Sequence, residues 1–280
     1  MSASSLAKEC QTRLMTFDHH HFETLPSTND WALAQLKSEP LRRPLLVTTD
    51  FQTHGRGQRE NRWHARAEGS VAMSLALSRS FRNDPVFFNK AIALAVREVL
   101  WDGVVDAGAR ITKSSSLKTP QSAPKLMLKW PNDLMVQGAD GARKLGGILI
   151  ENQWRGSEWS STVVGLGINV HSTPPTMTGT GAPPVSLKEA WNWQPDIVSL
   201  SQQLARAMIQ ADGMDNVHAR YDEALLGRGE QRLYQVQGRT WTGNLQGVDN
   251  LGLAHFRWKP QPNLPTPPSA LASTEVRWSW

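Results

Sequence analysis

Lys129-Trp130-Pro131-Asn132-Asp133 and, further on, Arg143-Lys144-Leu145-Gly146-Gly147-Ile148-Leu149-Ile150-Glu151 decide how this chain is read. In the first stretch an apolar run ends at a proline, followed at once by Asn and Asp. A cation, an amide and a carboxylate thus gather at one strand end. Such a set can bind a nucleotide and its magnesium ion. The plainer alternative is a turn in which Asn132 and Asp133 serve only the backbone. In the second stretch a basic pair enters a strand containing two glycines. Glycine within a strand often marks the close approach of a ligand, and Lys144 could there neutralise a phosphate or carboxylate. The alternative is a surface lysine at a strand start.

Two further stretches flank these. Gln52-Thr53-His54-Gly55-Arg56-Gly57-Gln58-Arg59-Glu60-Asn61-Arg62-Trp63 is polar and rich in glycine and arginine. Glycines admit a ligand close to the backbone, and arginines bring charge for phosphate or carboxylate. It is no P-loop, because GxxxxGK[ST] occurs nowhere in the chain. It is no dinucleotide fingerprint either, since Glu60 stands at the third glycine position. Downstream, Gly165-Leu166-Gly167-Ile168-Asn169-Val170 again places small residues inside a strand, with an amide after them.

Around these motifs the periodicity predicts a capped helix after Ser27 and Thr28, strands over 45–51 and 71–77, and a helix over 87–100. Residues 52–69 read as a long loop. Strands are predicted over 126–130, 145–151 and 162–170. The Ser-, Thr-, Pro- and Lys-containing segment 112–124 reads as an exposed insertion and 172–184 as another loop. A helical region runs from about 197 to 226, broken near Gly213. After Gly227, short strands punctuated by glycine have the look of a small all-β domain, with an irregular Pro-rich tail over 259–268. Residues 1–22 read as one helix or a disordered lead-in, too short for a complete helix-turn-helix domain.

Composition limits the function classes. Hydrophobic residues make up 39% and charged residues 20%, as in a globular protein rather than a disordered one. No apolar stretch reaches membrane-spanning length, and the first residues lack the apolar region of a signal peptide. The single cysteine, Cys10, excludes an intramolecular disulfide and has no partner motif of a nucleophile. A reducing cytoplasm is the expected setting. The net charge of +5 suits phosphate-bearing ligands or an acidic protein partner. A nucleic-acid-binding protein would need a clustered basic face and a recognition helix, and neither is apparent.

Taken together, Ser27-Thr28-Asn29, the GRG loop with Trp63, KWPND, RKLGGIL with Glu151, and GLGIN resemble the catalytic domain of biotin protein ligases, in order and spacing, over about residues 22–226. The longer segments at 112–124 and 138–142 depart from the pattern. Gly238-Arg239-Thr240 and Gly247-Val248-Asp249-Asn250-Leu251-Gly252 resemble the family's SH3-like C-terminal domain. The resemblance implies an α+β fold like that of class II aminoacyl-tRNA synthetases, with a mixed sheet and flanking helices over residues 22–226. It also implies a small SH3-like β-barrel over residues 227–280, after a lead-in of residues 1–21. With no winged helix-turn-helix ahead of the catalytic domain, the short form without repressor function is expected.

The resemblance further implies ATP-dependent ligation of biotin to a lysine of a biotin carboxyl carrier protein, through biotinyl-5′-AMP. Biotin, ATP and Mg2+ would be bound, with no DNA and no membrane. Lys144 and Arg56 are the implied catalytic cations. Ser27, Thr28, Asn29 and Gln52 would serve the biotin head, near Gly55 and Arg56, with room for the ring left by Gly146 and Gly147. Arg56, Gln58, Arg59, Trp63, Lys129, Asn132, Asp133 and Asn169 would serve ATP and the adenylate, and Asp133 is the candidate magnesium ligand. Gln58 and Asn61 stand where the family often has Arg. Gln58 therefore brings no charge to the phosphate, and Arg59 or Arg62 would have to substitute. The nearest alternative is a lipoate ligase or lipoyl/octanoyl transferase, against which KWPND, GRG and the C-terminal β-domain argue.

Overall fold

The computed structural model describes residues 16–38, 41–58, 62–63, 69–78, 81, 83–114, 124–175, 181–262 and 264–279. Cys10, Arg59, Asn61 and most of the 112–124 segment lie outside them. A seven-stranded sheet forms the body. Its strands are β1 (Asp18–Leu25), β2 (Leu45–Gln52), β3 (Ser70–Ser78), β4 (Lys125–Lys129), β5 (Asp133–Gly138), β6 (Gly141–Arg155) and β7 (Glu158–Asn169). They run in the order β1-β2-β3-β7-β6-β5-β4. Only the β1–β2 pair is parallel, so the sheet is mixed as expected.

Both faces of this sheet are covered, which follows from side chains alternating sides along each strand. On one face α1 (Thr28–Ser38) buries Ala32 against Leu45, Ala76 and Val163. On the other, Met73, Leu75, Leu77, Val164 and Leu166 join the core with Phe88, Ile92, Val96 and Leu100 of α2 (Pro85–Ser114). Leu200, Leu204 and Met208 of α4 (Ile197–Gln210) complete it. Each fully buried large aliphatic side chain contributes roughly 1.5–3 kcal/mol. Short helices α3 (Leu187–Trp191) and α5 (Val217–Ala224) flank α4. The predicted break near Gly213 is present as a 3-10 turn over Ala211–Gly213.

Three local expectations need correction. Residues 18–22 are neither helix nor lead-in: they belong to β1, whose polar, largely exposed side chains hid an edge strand. The segment 112–124 is not wholly an insertion, because α2 continues through Ser114 and β4 begins at Lys125. After the 130–132 turn the chain forms β5, which no sequence reading marked.

A second sheet follows residue 227, as the glycine-punctuated strands predict. It comprises β8 (Gln231–Val236), β9 (Arg239–Val248), β10 (Ala254–Trp258), β11 (Ala270–Leu271) and β12 (Val276–Trp278). The order β11-β10-β9-β8-β12 is open: among the described residues the edge strands β11 and β12 do not pair, so a closed barrel is not formed. Tyr234 sits at its centre against Phe256, Trp258 and Trp278. These aromatics belong to the same apolar cluster as the body's core.

Candidate active site

The strand ends and loops of the large sheet surround a cavity of about 940 Å3. That is near the upper end of the range for small-molecule sites. Of the expected residues, Ser27, Thr28, Asn29, Gln52, Arg56, Gln58, Trp63, Lys129, Asn132, Asp133, Lys144 and Gly147 line it. Gly55, Gly146 and Asn169 do not, and Arg59 lies outside the described residues.

One part of the wall is a neutral hydrogen-bond network. Ser27 caps α1, its Oγ accepting from the Asp30 amide at 3.3 Å. The first turn of α1 is thereby held with Thr28 and Asn29 buried. The Thr28 amide and hydroxyl both donate to Gln52 Oε1, at 2.8 and 3.2 Å. Ser74 Oγ lies 2.7 Å from Thr28 Oγ1 and 2.5 Å from Asn29 Oδ1, so its one proton serves one of them at a time. Gly165 is needed beneath this network, because a Cβ there would collide with the Asn29 amide. Gly167 likewise makes room for the Trp63 indole. The two glycines of GLGIN thus admit side chains to the strand.

A second part is charged. Lys129 and Asp133 face each other across the β4–β5 pair, with Lys129 Nζ 2.8 Å from Asp133 Oδ2. Lys144 Nζ lies 2.6 Å from Asp133 Oδ1. Lys144 reaches this face because the β5–β6 register skips Leu145: Asp133 opposes Gly147, Leu134 opposes Gly146, and Met135 opposes Lys144. A bulge of this kind re-aims a side chain. Burial pushes the Asp133 carboxyl up, but the two ammoniums outweigh it and hold it below the usual carboxylate range. Lys129 and Asp133 are 14% and 15% exposed, whereas Lys144 is 38% exposed and therefore the more reachable cation.

Arg56 is paired with carboxylates: Nη1 is 2.5 Å from Asp30 Oδ1 and Nη2 is 2.9 Å from Glu151 Oε1. Burial would lower its pKa, but these bonds outweigh it and raise it. The GRG loop closes on itself through the Trp63 amide, which donates to the Gly55 carbonyl at 2.9 Å, and a bridge between Arg56 and Arg62. Gly55 is therefore a packing glycine, since a Cβ would meet the Trp63 carbonyl oxygen at 2.5 Å. Gly146 faces the Gly167 backbone across β6 and β7. Asn169 is buried behind the wall and donates to the Val185 carbonyl at 3.1 Å. Asn132 both lines the cavity and ties its turn to β6, through Nδ2 to the Ile148 carbonyl at 2.8 Å.

Magnesium fits poorly as a resident ion. Both oxygens of Asp133 are engaged by lysines, and a dication there would face two ammoniums at close range. No group of three or more His, Cys, Asp or Glu is arranged to hold a metal among the described residues.

Sequence reasoning missed part of the wall. Ser273, Val276, Arg277 and Trp278 of the small sheet line the same cavity, with the Trp278 ring 5.8 Å from Lys129 Nζ. No spacing in the chain signals a contact between residues so far apart. Asp30, Ser74 and Glu151 organise the site without having been assigned a role, although Glu151 stood at the end of a quoted motif.

A sequence profile described as the Biotin/lipoate A/B protein ligase family matches residues 21–169. The chain is 28% identical over 174 residues to the bifunctional ligase/repressor BirA of Bacillus subtilis, covering 62% of this chain and 47% of that one. It is 28% identical over 143 residues to the biotin–[acetyl-CoA-carboxylase] ligase of Paracoccus denitrificans, covering 48% and 58% respectively. The chain thus spans about half the length of the curated relatives it matches. Among solved structures, the biotin protein ligase of Aquifex aeolicus in complex with biotin and ATP has a TM-score of 0.61 at 18% identity, covering 94% of this chain and 99% of that one. The Leishmania major enzyme in complex with biotinyl-5-AMP has a TM-score of 0.54 at 19% identity, covering 86% and 95%. At these identities the solved structures establish a shared fold. The profile covers the stretch that supplies Thr28, Gln52, Arg56, Lys129, Asp133, Lys144 and Gly165 to the cavity, and on that match the chain belongs to the biotin/lipoate A/B protein ligase family.

Proposed function

We propose that this protein is a biotin protein ligase, which forms biotinyl-5′-AMP from biotin and ATP and passes biotin to a lysine of a biotin carboxyl carrier domain. The observation that carries this reading is one cavity lined both by the uncharged network of Thr28, Asn29 and Gln52 and by Lys129 and Lys144 around Asp133. Biotin joins a neutral ureido head to a carboxylate tail. A site for its activation needs neutral donors and acceptors for the head and cations for the tail and the nucleotide phosphates.

In the first step a biotin carboxylate oxygen attacks the α-phosphorus of ATP. The bond from that phosphorus to the bridging oxygen breaks, and pyrophosphate leaves with the electron pair. Both reactants are anionic, so fixed cations lower the barrier by offsetting charge that concentrates in the transition state. Lys144, pinned by Asp133 yet partly exposed, is the cation assigned to that charge, and Lys129 supports it. Arg56, Gln58, Arg62 and Trp63 serve the nucleotide side. In the second step the neutral amine of the carrier lysine attacks the acyl carbon, AMP departs, and the amine loses a proton. No covalent enzyme intermediate is required. Magnesium is read as arriving with the triphosphate.

The finer assignment of the small sheet as the family's SH3-like domain, with a boundary at residue 227, belongs to the same proposal. Its support is that all five strands follow that residue. A cytoplasmic setting is part of the same proposal and rests on the sequence; no described helix is long and apolar enough to cross a membrane. The test is pyrophosphate release from ATP with either biotin or lipoate, the nucleotide product being identified by mass. Biotinyl-AMP with biotin supports the reading. Product with lipoate alone overturns it in favour of lipoate ligation.

A further inference from the structure

We infer that Glu151 is the positioning residue that holds the biotin-side wall and Arg56 in one arrangement. This rests on the reading of that wall as the biotin head site. Glu151 does not itself line the cavity. Its carboxylate stands behind the wall and joins two elements. Oε1 accepts from Arg56 Nη2 at 2.9 Å, and Oε2 accepts from Arg56 Nη1 at 3.3 Å. Oε2 also accepts from Asn29 Nδ2 at 2.8 Å. One carboxylate therefore fixes a residue of the GRG loop and a residue of the first turn of α1.

The consequences spread along donors and acceptors. Asn29, oriented with Nδ2 toward Glu151, turns Oδ1 toward Ser74. Ser74 is also within bonding distance of Thr28, and Thr28 donates to Gln52 Oε1. With Oε1 taken up by two Thr28 donors, Gln52 keeps Nε2 as its remaining donor, on the side of Gly55. The carboxylate thus sets how Asn29 and Ser74 are oriented behind the wall, while the Thr28 amide holds Gln52 with Nε2 left for a ureido group. It also keeps the Arg56 guanidinium from turning away, since a planar fork is matched by a planar acceptor. Glu151 is 22% exposed on its side chain, so water competes with these bonds only in part. Asp30 binds Arg56 as well, but its side chain is 54% exposed and it makes no bond to Asn29 in the structure, so it cannot take over the link.

Two readouts test this. The first needs no substrate: the rate at which phenylglyoxal, a guanidinium reagent, modifies Arg56, followed by peptide mass mapping. Glu151→Gln should speed modification several-fold while the thermal midpoint changes little, because the amide can still accept from Asn29. The second is kinetic. Glu151→Gln should raise KM for biotin, through Asn29, and KM for ATP, through Arg56, each about tenfold, as expected for loss of charge-assisted support behind a binding wall, and leave kcat within about threefold. Glu151→Asp, too short to span Arg56 and Asn29, should not rescue. In an Arg56→Gln background Glu151→Gln should add little further loss in KM for ATP. Unchanged Arg56 reactivity in Glu151→Gln, or full additivity with Arg56→Gln in KM for ATP, would overturn the inference. Absence of biotin turnover in the wild-type protein would instead overturn the functional reading, while the Arg56 reactivity would still decide the network.

Discussion

Replacement of Asp133 separates the structural and chemical parts of the charged cluster. Its two oxygens lie 2.6 Å from Lys144 Nζ and 2.8 Å from Lys129 Nζ. At an effective dielectric near 20, each contact is worth roughly 6 kcal/mol before desolvation. Most of that is offset by the cost of taking the charges out of water, and the Lys144 contact is further screened by its exposure. Asp133→Ala removes the carboxylate that faces Lys129, whose side chain is 14% exposed. The expected loss is about 3 kcal/mol, or a fall in Tm of about 6–12 °C for a chain of this size. Asp133→Asn keeps the shape but not the charge and should lose about 2 kcal/mol. Because the folded carboxyl titrates below its unfolded value of about 3.9, its contribution is complete above that pH and is lost only as pH falls through the folded value. Urea melts at a series of pH values would therefore show a constant gap between wild type and Asp133→Asn from neutral pH down to about 5, closing in stronger acid. A gap that vanishes at neutral pH, or that opens as pH falls, would refute the assigned role of the lysine pair.

Three other outcomes follow from the same geometry. Lys144→Ala should slow biotinyl-AMP formation on the order of a hundredfold, read as pyrophosphate release, with little change in Tm because its side chain is partly exposed. Gly165→Ala drives a methyl into the Asn29 amide, so it should cost about 1–3 kcal/mol in urea melts and weaken biotin binding in calorimetry; biotin affinity equal to wild type would contradict the packing argument. Gln58 and Arg62 both line the cavity, so Arg62→Ala should speed dissociation of biotinyl-AMP about tenfold while Gln58→Arg slows it only slightly; the reverse pattern would mean that the site lacks a charge at position 58.

The site was legible where local chemistry and strand period coincide. Lys129 and Asp133 stand at strand ends that an apolar run and a proline mark in the chain, whereas Lys144 lies inside β6, which already begins at Gly141 rather than at the expected 145. The turn reading of Pro131-Asn132-Asp133 is realised in part: the turn occupies 130–132, Asn132 ties it to β6, and Asp133 opens β5, while Asn132 and Asp133 both line the cavity. What stayed hidden depends on pairing across the chain. The bulge that turns Lys144 toward Asp133 is a property of two strands in register and leaves no mark in either one. β1 was missed because its exposed edge carries His, Asp and Glu in place of an apolar alternation. The Trp278 wall requires a sheet more than a hundred residues downstream to dock beside Lys129. Glycines were legible as unusual but not in purpose: Gly165 and Gly167 admit Asn29 and Trp63, whereas Gly146 admits the neighbouring strand.

The most direct measurement is the intact mass of a purified biotin carboxyl carrier domain after incubation with the protein, ATP, and an equimolar mixture of biotin and lipoate. A biotin protein ligase adds a single biotinyl group per carrier domain, abolished when the acceptor lysine is replaced and when ATP is omitted. An unmodified carrier domain, or one carrying lipoyl in place of biotinyl, would contradict it.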